Sequence, residues 1–569
     1  MVEVKELSQR RGALLQERRT WEADWKLLSQ HFLPRKMRSL EEEGDVTNRG
    51  GLRKDILRNT GVLAMRDLAA GMHGGMTSPA RPWFRLSLQD ESLATYKPVR
   101  VWLDDCQDRM RTLFHRSNFY NVVHSMYAQL GTFGTGFMFE LEDERSGIRF
   151  MPLAVGEYVL DIDENGRVDT IFRSCPMTVR QLVRRFGFNN CPDTVKRMFD
   201  APARGMVDRF TVVHSVMPRD DRNPQKLDRM NMPYASTYYL EAGEGGTKTI
   251  GGGFQYPHLL AEGGFRSFPG FGPRWDVTGM DVYGDSPCMD VLGNVLQMQS
   301  MERSKLKALQ KLVDPPMAKP SGVKGLSLLP GAENVYDMQG SNQPIYPLLQ
   351  IRPDTQGVMM ALEDLKNEIK SGLYNDLFKM LMGSDRRQIT AREIAAREEE
   401  KLILLGPVLE RLHDELFMPM IDRTWELMTE QNMMPEPPME VQGQEIKVEF
   451  VSLLAQAQKM VSTSAVDQFM GFVGAYSQVL PDLLDAVDTD KMADGYAGYL
   501  GLETDMLRAQ EDRDAMREQR AQQMAQAQQA EQMAAMGPMA QSAKNLSETQ
   551  IGGEKESALD ALLGSFGGV

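Results

Sequence analysis

The sequence has few cysteines and no long apolar run. The cysteines are four in number and form no CxxC pair: Cys106, Cys175, Cys191 and Cys288. This spacing argues against a zinc site and against a disulfide framework. No apolar stretch reaches the length of a membrane span, and the N-terminal residues MVEVKELSQR lack the apolar core of a signal peptide. We therefore expect a protein that is made in the cytosol and has no membrane partner.

The sequence also lacks an excess of positive charge. Its formal net charge is −14, and its isoelectric point is about 5.2. A sequence-specific DNA-binding protein needs a dominant basic face to neutralise phosphates, so this class is disfavoured. The same charge is compatible with a protein past which DNA must slide without sticking.

Chain length and composition predict a globular protein of several domains. The 569 residues are too many for one hydrophobic core, and 42% hydrophobic with 25% charged residues is an ordinary soluble composition. Methionine is abundant, at 40 residues. Because its side chain adapts to its surroundings, methionine suits helix cores and sliding subunit contacts. It can equally stand in place of leucine in ordinary helix cores.

The first half of the chain predicts an α+β body that is predominantly α-helical, with a modest antiparallel sheet. Apolar residues at helical spacing predict helices over 4–32, 52–72, 96–115, 118–130 and 178–186. Alternating patterns predict strands over 137–141, 210–216, 236–241 and 249–255. Trp83 and Phe84 are expected to anchor the chain on a core.

Three polar or glycine-rich segments resemble ligand sites only in part. In GTFGTGFMFEL (131–141) the glycines are not spaced as GxGxxG and precede a strand, which favours a helix end turning into a strand over a phosphate loop. AGEGGTKT (242–249) favours a hairpin tip over a nucleotide loop. Residues 161–166 match half of a calcium loop, but Phe172 occupies the position of the bidentate glutamate. Asn165-Gly166 instead predicts a type I′ hairpin.

The stretch from Tyr283 to Arg397 predicts two long helices joined by a compact insertion. Ser286 is a natural N-cap and Pro287 fits the first helical position. The first helix is expected to reach about Val313 and to be roughly 40 Å long. A proline-rich insertion follows over 315–353, and a return helix over 354–381.

The first of these helices ends in a group of cations. They are Arg303, Lys305, Lys307 and Lys311. Helix C-termini favour cations, which is one explanation for them. A role near phosphate is the other, because the chain as a whole is acidic.

A polar loop, residues 383–388, separates the return helix from a third long helix. A capping box, Thr390 to Glu393, begins that helix, and interruptions are expected at Gly406-Pro407 and Pro419. A strand is predicted over 446–450, and mainly helices over 453–500. An Ala/Gln-rich helix is predicted over 504–536, followed by a flexible tail.

Several segments together resemble the portal, or head-to-tail connector, proteins of short-tailed (podovirus-type) bacteriophages. They occur in that family's order: QHFLPR (30–35), LAAGMHGGMTSPARPWFRL (68–86), GTFGTGFMF (131–139), FRSCPMTVRQLVRRFG (172–187), PRWDVTGMDVYGDSP (273–287), ITAREIAAREEEKLILLGPVLERLHDELFMPMIDR (389–423) and VEFVSLLAQAQKM (448–460).

The resemblance implies a dodecameric ring at one capsid vertex, with a central channel for double-stranded DNA during packaging and ejection. It implies these parts: wing 1–286, stem helix 287–314, clip 315–353, stem helix 354–381, channel loop 382–390, a long kinked wing helix 391–432, crown 433–503, barrel helix 504–536 and tail 537–569.

The resemblance also implies partners and contact residues. The partners are other copies of the chain, transiently bound DNA, the terminase large subunit, a tail adaptor, and the capsid and scaffolding proteins. The location is the virion, after assembly in the host cytoplasm. No catalysis, cofactor or metal is implied. The DNA-facing loop residues would be Ser384, Asp385, Arg386, Arg387 and Gln388, with the four stem cations second. The clip would dock partners through Lys319, Lys324, Tyr336 and Tyr346.

Alternatives remain at this stage. Arg386 and Arg387 can instead pair with acidic residues of a neighbouring subunit, and Asp385 lowers the local positive charge. An enzyme of packaging or of the tail would use the 131–136 glycine loop to bind nucleotide. A scaffold or tail adaptor other than a portal would share the helical C-terminus and the methionine content.

Overall fold

The fold is known from a computed structural model, in which the chain divides into two compact units, Met1–Gln468 and Phe469–Val569. The structure describes residues 4–36, 56–90, 93, 96–200, 209–226, 228–241, 257–313, 317–318, 346–347, 355–382, 405–441, 444, 446–451, 473, 490, 492, 512–527, 541 and 544.

Helices form most of the first unit. Those before the stem are α1 (Val4–His31), α2 (Thr60–Met76), α3 (Lys97–Arg116), α4 (Phe119–Phe133), α5 (Val179–Phe186) and α6 (Asp193–Phe199). Those of the region predicted as the stem, which we call the stem helices, are α7 (Pro287–Asp290), α8 (Leu292–Val313), α9 (Thr355–Gly372) and α10 (Asn375–Met382). Residues 405–412 are helical and continue through a π-helical turn, His413–Phe417, into α11 (Met418–Glu430). Short 3-10 turns lie at Pro34–Lys36, Arg229–Asn231 and Met439–Val441.

The strands form four small sheets. They are β1 (Phe84–Leu88), β2 (Phe137–Asp143), β3 (Gly147–Leu153), β4 (Tyr158–Ile162), β5 (Val168–Thr178), β6 (Arg209–Pro218), β7 (Tyr234–Leu240), β8 (His258–Phe265), β9 (Gly270–Phe271), β10 (Met317–Ala318), β11 (Tyr346–Pro347) and β12 (Ile446–Phe450). The largest sheet has the order β4-β5-β6-β7-β8, with every pair antiparallel. The others are β3-β2-β9, β1-β12 and β10-β11. The predicted mixture of helices and antiparallel strands is therefore confirmed.

Aromatic residues fill the centre of the first unit. Trp83 and Phe84 are fully enclosed, as the sequence predicts, and the Trp83 ring stacks on Phe119 and Phe450 at 5.8 and 6.3 Å between centroids. Phe450 belongs to β12, which pairs along its length with β1. Burial of such large rings supplies much of the free energy of folding.

Helix α2 begins later than the sequence predicts and ends later too. Residues 56–59 are not helical because the backbone N–H groups of Leu57 and Arg58 donate to the Gln299 side chain, at 2.8 and 3.0 Å. At the other end the helix continues through its glycines. A Cβ at Gly71 would lie 2.2 Å from the Phe378 ring, so this glycine makes room for α10.

The hairpin between β4 and β5 is confirmed, but its turn is not the predicted two-residue type I′. The Asp163 N–H donates to the Arg167 carbonyl oxygen at 2.8 Å, and the Asp163 carboxylate accepts from the N–H groups of Asn165 and Arg167. Of the loop residues only Gly166 has a positive φ, 77°. The aspartate thus stabilises a longer loop closed by one left-handed glycine.

The stem helices are each interrupted once, where continuous helices were predicted. Val291 separates α7 from α8, and Leu373 and Tyr374 separate α9 from α10. Tyr374 has a φ of 54°. The buried Asn375 amide, oriented so that its nitrogen donates, binds the carbonyl oxygens of Leu373 and Ala64 at 3.0 and 2.9 Å. These bonds fix the break against α2.

Other predictions have mixed outcomes. The helices over 4–32, 96–115, 118–130 and 178–186 and the strands over 137–141, 210–216, 236–241 and 446–450 are confirmed to within a few residues. Strand β8 was not predicted. The strand predicted over 249–255 and the segment 242–249 lie outside the described residues. The interruption near Pro419 is the π-helical turn, which accommodates the missing proline N–H.

In the second unit the structure describes a helix over 512–527, within the predicted Ala/Gln-rich helix. Arg517 of that helix pairs with Asp490 at 2.5 Å. Within the described part of the chain, no helix is both long and apolar enough to cross a membrane.

The glycines of the 131–136 segment allow two backbones to meet, and the predicted helix-to-strand turn is confirmed. Gly134 ends α4 in the left-handed region, with φ 75°, and a Cβ there would lie 1.9 Å from the Gly284 carbonyl oxygen. The Trp275 N–H donates to the Gly134 carbonyl oxygen at 2.8 Å, and the Gly284 N–H donates to Thr135 Oγ1 at 2.9 Å.

Replacing Gly134 by alanine should therefore lower the free energy of unfolding by more than the strain of a left-handed backbone alone. Gly279 serves as the control, because its φ is 63° and nothing lies within 4 Å of its Cβ position. We expect Gly279→Ala to cost about 1 kcal/mol and Gly134→Ala to lower the melting temperature much further. Equal melting temperatures of the two purified variants would contradict the close approach.

Candidate functional site

The stem begins at a capped and buried position. The N–H of Met289 donates to the Ser286 hydroxyl at 3.2 Å, and that hydroxyl donates to the Thr132 carbonyl oxygen at 2.8 Å. Pro287 occupies the first turn, so the predicted cap is confirmed. Because Ser286 bonds both its own helix and α4, the start of the stem is fixed to the core.

A buried ion pair holds the same junction from the other side. The guanidinium of Arg274 contacts the Glu415 carboxylate through Nη2 at 2.6 Å and Nε at 3.2 Å, and the Arg274 backbone N–H donates to it at 2.8 Å. Arg274 also donates to the carbonyl oxygens of Asp281 and Gly166. One side chain thus joins the π-helical turn, the stem approach and the β4–β5 hairpin.

The two stem helices pack antiparallel near the body. A Cβ at Gly372 would lie 2.5 Å from the Val291 side chain, and Asn294 donates to Glu368 at 3.1 Å. The buried residues of α8 are Val295, Met298 and Gln299, all in its first half. Farther along, β10 pairs with β11 and closes the base of the insertion.

Beyond that packed base the stem exposes an apolar stripe. Leu306, Leu309 and Val313 follow one another at spacings of three and four residues, and are 42%, 36% and 84% exposed. Met359 and Met360 on α9 are exposed as well. Residues at this spacing share a helix face. An apolar helix face normally packs against another apolar surface.

The four predicted stem cations fall into two groups. Arg303, Lys307 and Lys311 recur every four residues and form one exposed stripe. Lys305 lies elsewhere on the helix and pairs with Glu302 at 2.6 Å. Glu302 also lies 3.8 Å from Arg58. No ion pair joins the three stripe cations to an acidic side chain among the residues that the structure describes.

Channel-loop residues 384–388 and the clip residues Lys319, Lys324 and Tyr336 lie outside the described residues. Tyr346 is described only as backbone, in β11.

Two cysteine thiols of the body are buried and have raised pKa values. Burial raises the pKa of the Cys106 thiol to about 12, so it stays protonated and unreactive at neutral pH. Burial also raises the pKa of Cys288 well above its usual value. Within the described ranges no group of three or more His, Cys, Asp or Glu side chains is arranged to hold a metal ion.

A buried carboxyl group, Glu140, lies under α11. Burial raises its pKa to about 8, although Arg423 and Thr424 act in the opposite direction. The Thr424 hydroxyl donates to Glu140 Oε1 at 2.8 Å, and Arg423 Nε donates to the Glu140 carbonyl oxygen at 3.1 Å. The side chain is therefore largely neutral at pH 7.

Comparison with known proteins assigns the chain to a class. A family model described as "Bacteriophage head to tail connecting protein" matches residues 4–507. The chain belongs to this family.

Two relatives make the assignment more particular. The chain is 40% identical over 523 residues to the "Probable portal protein" of Bordetella phage BPP-1, covering 91% of each chain. It is 38% identical over 569 residues to the "Portal protein" of Salmonella phage epsilon15, covering 99% of this chain and 98% of that one. A solved chain titled "Virion of native gene transfer agent (GTA) particle" covers 74% of this chain and 89% of its own, with a TM-score of 0.32 and 12% identity, too low to transfer any property.

Sequence reasoning missed Arg274, Glu415, Glu140 and Arg423 as structural determinants. Arg274 lies in the PRWDVTGMDVYGDSP segment and Glu415 in the segment 389–423, so both were inside the resembling segments. Arg274 and Glu415 are 141 residues apart in the sequence, and no local sequence pattern indicates a contact over that separation.

The raised pKa of Glu140 predicts a pH-dependent stability. Its ordinary pKa is 4.5 and its folded value about 8, so the folded state holds the proton more tightly. The tighter binding of this proton adds to the free energy of unfolding. The added stability is fully present below about pH 4.5 and is lost as pH rises to about 8. Glu140→Gln should remove a dependence worth at least ~1.4 kcal/mol, the equivalent of one pKa unit.

Melting temperatures at pH 5 and pH 8 measure this effect. The drop between the two should be smaller in Glu140→Gln than in the wild type. The exposed Glu144→Gln, in the neighbouring β2–β3 turn, serves as the control and should behave as the wild type. Parallel profiles for all three proteins would contradict a neutral Glu140.

Proposed function

We propose that this chain is a phage portal protein whose copies form a ring that joins head to tail and conducts double-stranded DNA. Two relatives named as portal proteins match over nearly the whole chain, at 38–40% identity. The observation in the structure that carries the ring is the apolar stripe of the stem, Leu306, Leu309 and Val313. Leucine and valine on one exposed helix face gain free energy when a neighbouring stem covers them.

The proposed parts follow the chain. We propose a wing at 1–286, continued by the helix at 391–432, with stem helices at 287–314 and 354–381, a clip at 315–353, a channel loop at 382–390, a crown at 433–503, a barrel helix at 504–536 and a tail at 537–569. Two observations refine the crown boundary. Met433 and Pro435 accept hydrogen bonds from Arg109 and Trp102 of α3. Strand β12 also pairs with β1, so we favour a crown that begins after Val451.

We propose that the chain repels DNA phosphates overall and contacts them at only a few positions. A chain of net charge −14 repels phosphate on average, so DNA is not trapped. The stripe Arg303, Lys307 and Lys311 has no acidic partner among the described residues and would offer weak, replaceable contacts. Lys305 would not, because Glu302 neutralises it. Arg386 and Arg387 of the channel loop are proposed as further contacts.

The proposed role is structural rather than enzymatic. Neither the family nor the named relatives indicate an enzyme. Gly134 packs against Gly284, Gly131 against Met65 and Leu68, and Gly136 against Met126, which argues against the nucleotide-loop alternative. We propose that the clip, with Lys319, Lys324, Tyr336 and Tyr346, meets the terminase large subunit and later a tail adaptor. We further propose contacts with capsid and scaffolding proteins in the virion, after assembly in the host cytoplasm.

Ring formation tests this function directly. Native mass spectrometry of the purified chain should show a closed multimer, and Leu306→Gln with Leu309→Gln should shift it toward smaller species. Leu259→Gln on β8 is the control, because Leu259 and Leu309 are equally exposed, at 36%. A monodisperse wild-type monomer would refute the ring, and unchanged assembly of the double variant would refute the role of the stripe.

The stem cations generate a second prediction. Replacing Arg303, Lys307 and Lys311 together by glutamine should weaken DNA binding by the assembled protein and flatten its dependence on salt, because fewer counterions are released. Lys305→Gln should leave both nearly unchanged. Binding of a short duplex measured at several salt concentrations checks this, and an equal effect of the two variants would contradict the division of the cations.

A further inference from the structure

Helices α5 and α6, which follow strand β5, lie beside an exposed aromatic pair and carry several exposed cations. Phe188 and Phe199, beside helices α5 and α6, are each 41% exposed and contact one another edge to face, with centroids 6.0 Å apart. Lys196 lies 5.9 Å from the Phe188 ring but pairs with Asp193 at 3.7 Å, so the positive charge of this surface rests on its arginines. We call this surface the basic aromatic patch, and its exposed arginines are Arg180, Arg184 and Arg197.

The other end of strand β5 carries a surface of opposite charge. Met280 is 60% exposed and lies against the tip of the β4–β5 hairpin, its sulfur 3.9 Å from the Cβ position of Gly166. Exposed carboxylates surround it, and we call this surface the acidic methionine patch: Glu164, Asp276, Asp281 and Asp285. Asp276 is engaged by Arg411 at 3.1 Å. Burial is the main cause that raises the pKa of Asp285. Repulsion from the neighbouring carboxylates raises it further.

The two patches cannot meet within one subunit. Strand β5 runs from the hairpin tip to the start of α5 and has 11 residues, which corresponds to about 35 Å. It pairs with β4 over residues 168–173 and with β6 over residues 171–178, which holds it within the sheet. Any contact between the patches therefore joins two copies of the chain.

We propose that the acidic methionine patch of one copy docks on the basic aromatic patch of the next, as a lateral contact within the ring. This inference rests on the ring proposed above and names one of its interfaces. The match is twofold, because cations face carboxylates and an exposed methionine faces an aromatic pair. Sulfur–aromatic contacts are favourable, and complementary charge fixes register.

The contact is heterologous, since each copy uses two different surfaces. Such contacts propagate head to tail and close into a ring when the rotation between copies allows it. A second copy is favoured over an unrelated partner because both complementary surfaces are present on this chain, in equal number on every copy.

Charge reversal tests the contact. One variant carries Arg184→Glu and Arg197→Glu, a second carries Glu164→Lys and Asp281→Lys, and a third carries all four changes. The control carries Arg145→Glu and Arg149→Glu on the exposed β2–β3 hairpin, which changes net charge as the first variant does. The measurement is the protein concentration at which half the chains are assembled, by native mass spectrometry at low salt.

We expect each two-residue variant to raise this concentration at least ~10-fold. The control should not, and the four-residue variant should return close to the wild type, because the reversed patches attract again. Recovery of assembly in the four-residue variant also excludes misfolding as the cause of the defect in each two-residue variant. Additive defects without rescue, or normal assembly of both two-residue variants, would overturn the contact while leaving the ring itself standing. A wild type that does not assemble at all would instead refute the ring.

Discussion

The close approach of two backbones at Gly134 and Gly284 is the constraint on which the stem depends. Neither position has room for a side chain, since a Cβ at Gly284 would lie 2.6 Å from the Asp276 carbonyl oxygen. Thr135 and Ser286 then use their hydroxyls to join the end of α4 to the start of α7. The direction in which the stem leaves the body is thereby set by packed backbone, and such contacts change little under load.

Polar groups complete this junction in a way that apolar packing could not. Arg274 bonds three separate segments through one planar guanidinium, and Glu415 supplies the charge that makes its burial tolerable. Glu415 lies in the π-helical turn just before Pro419. That turn continues the helix of residues 405–412, so this helix and the approach to the first stem helix are joined by one ion pair. The stem beyond this junction is exposed and amphipathic, which suits a segment completed by neighbouring copies.

Local patterns in the sequence predicted much of the fold, and long-range contacts account for what they missed. The Ser286 cap rests on a few adjacent residues and is confirmed. The start of α2 was misplaced because Gln299, far along the chain, holds residues 57 and 58 in a non-helical conformation. The stem break at Tyr374 likewise depends on Asn375 reaching Ala64. Among the stem cations, spacing alone separates Lys305 from the others, but only the structure shows that Glu302 pairs with it.

The central claim is that the stem forms the wall of a channel, with its cationic stripe toward the lumen and its leucine stripe toward a neighbouring stem. A cryo-electron-microscopy reconstruction of the assembled wild-type protein measures this most directly. The account predicts a closed ring in which Arg303, Lys307 and Lys311 line the central opening while Leu306 and Leu309 are covered by the adjacent copy. An assembly in which the leucines face the opening and the cations face a neighbour, or one without a central opening, would contradict it.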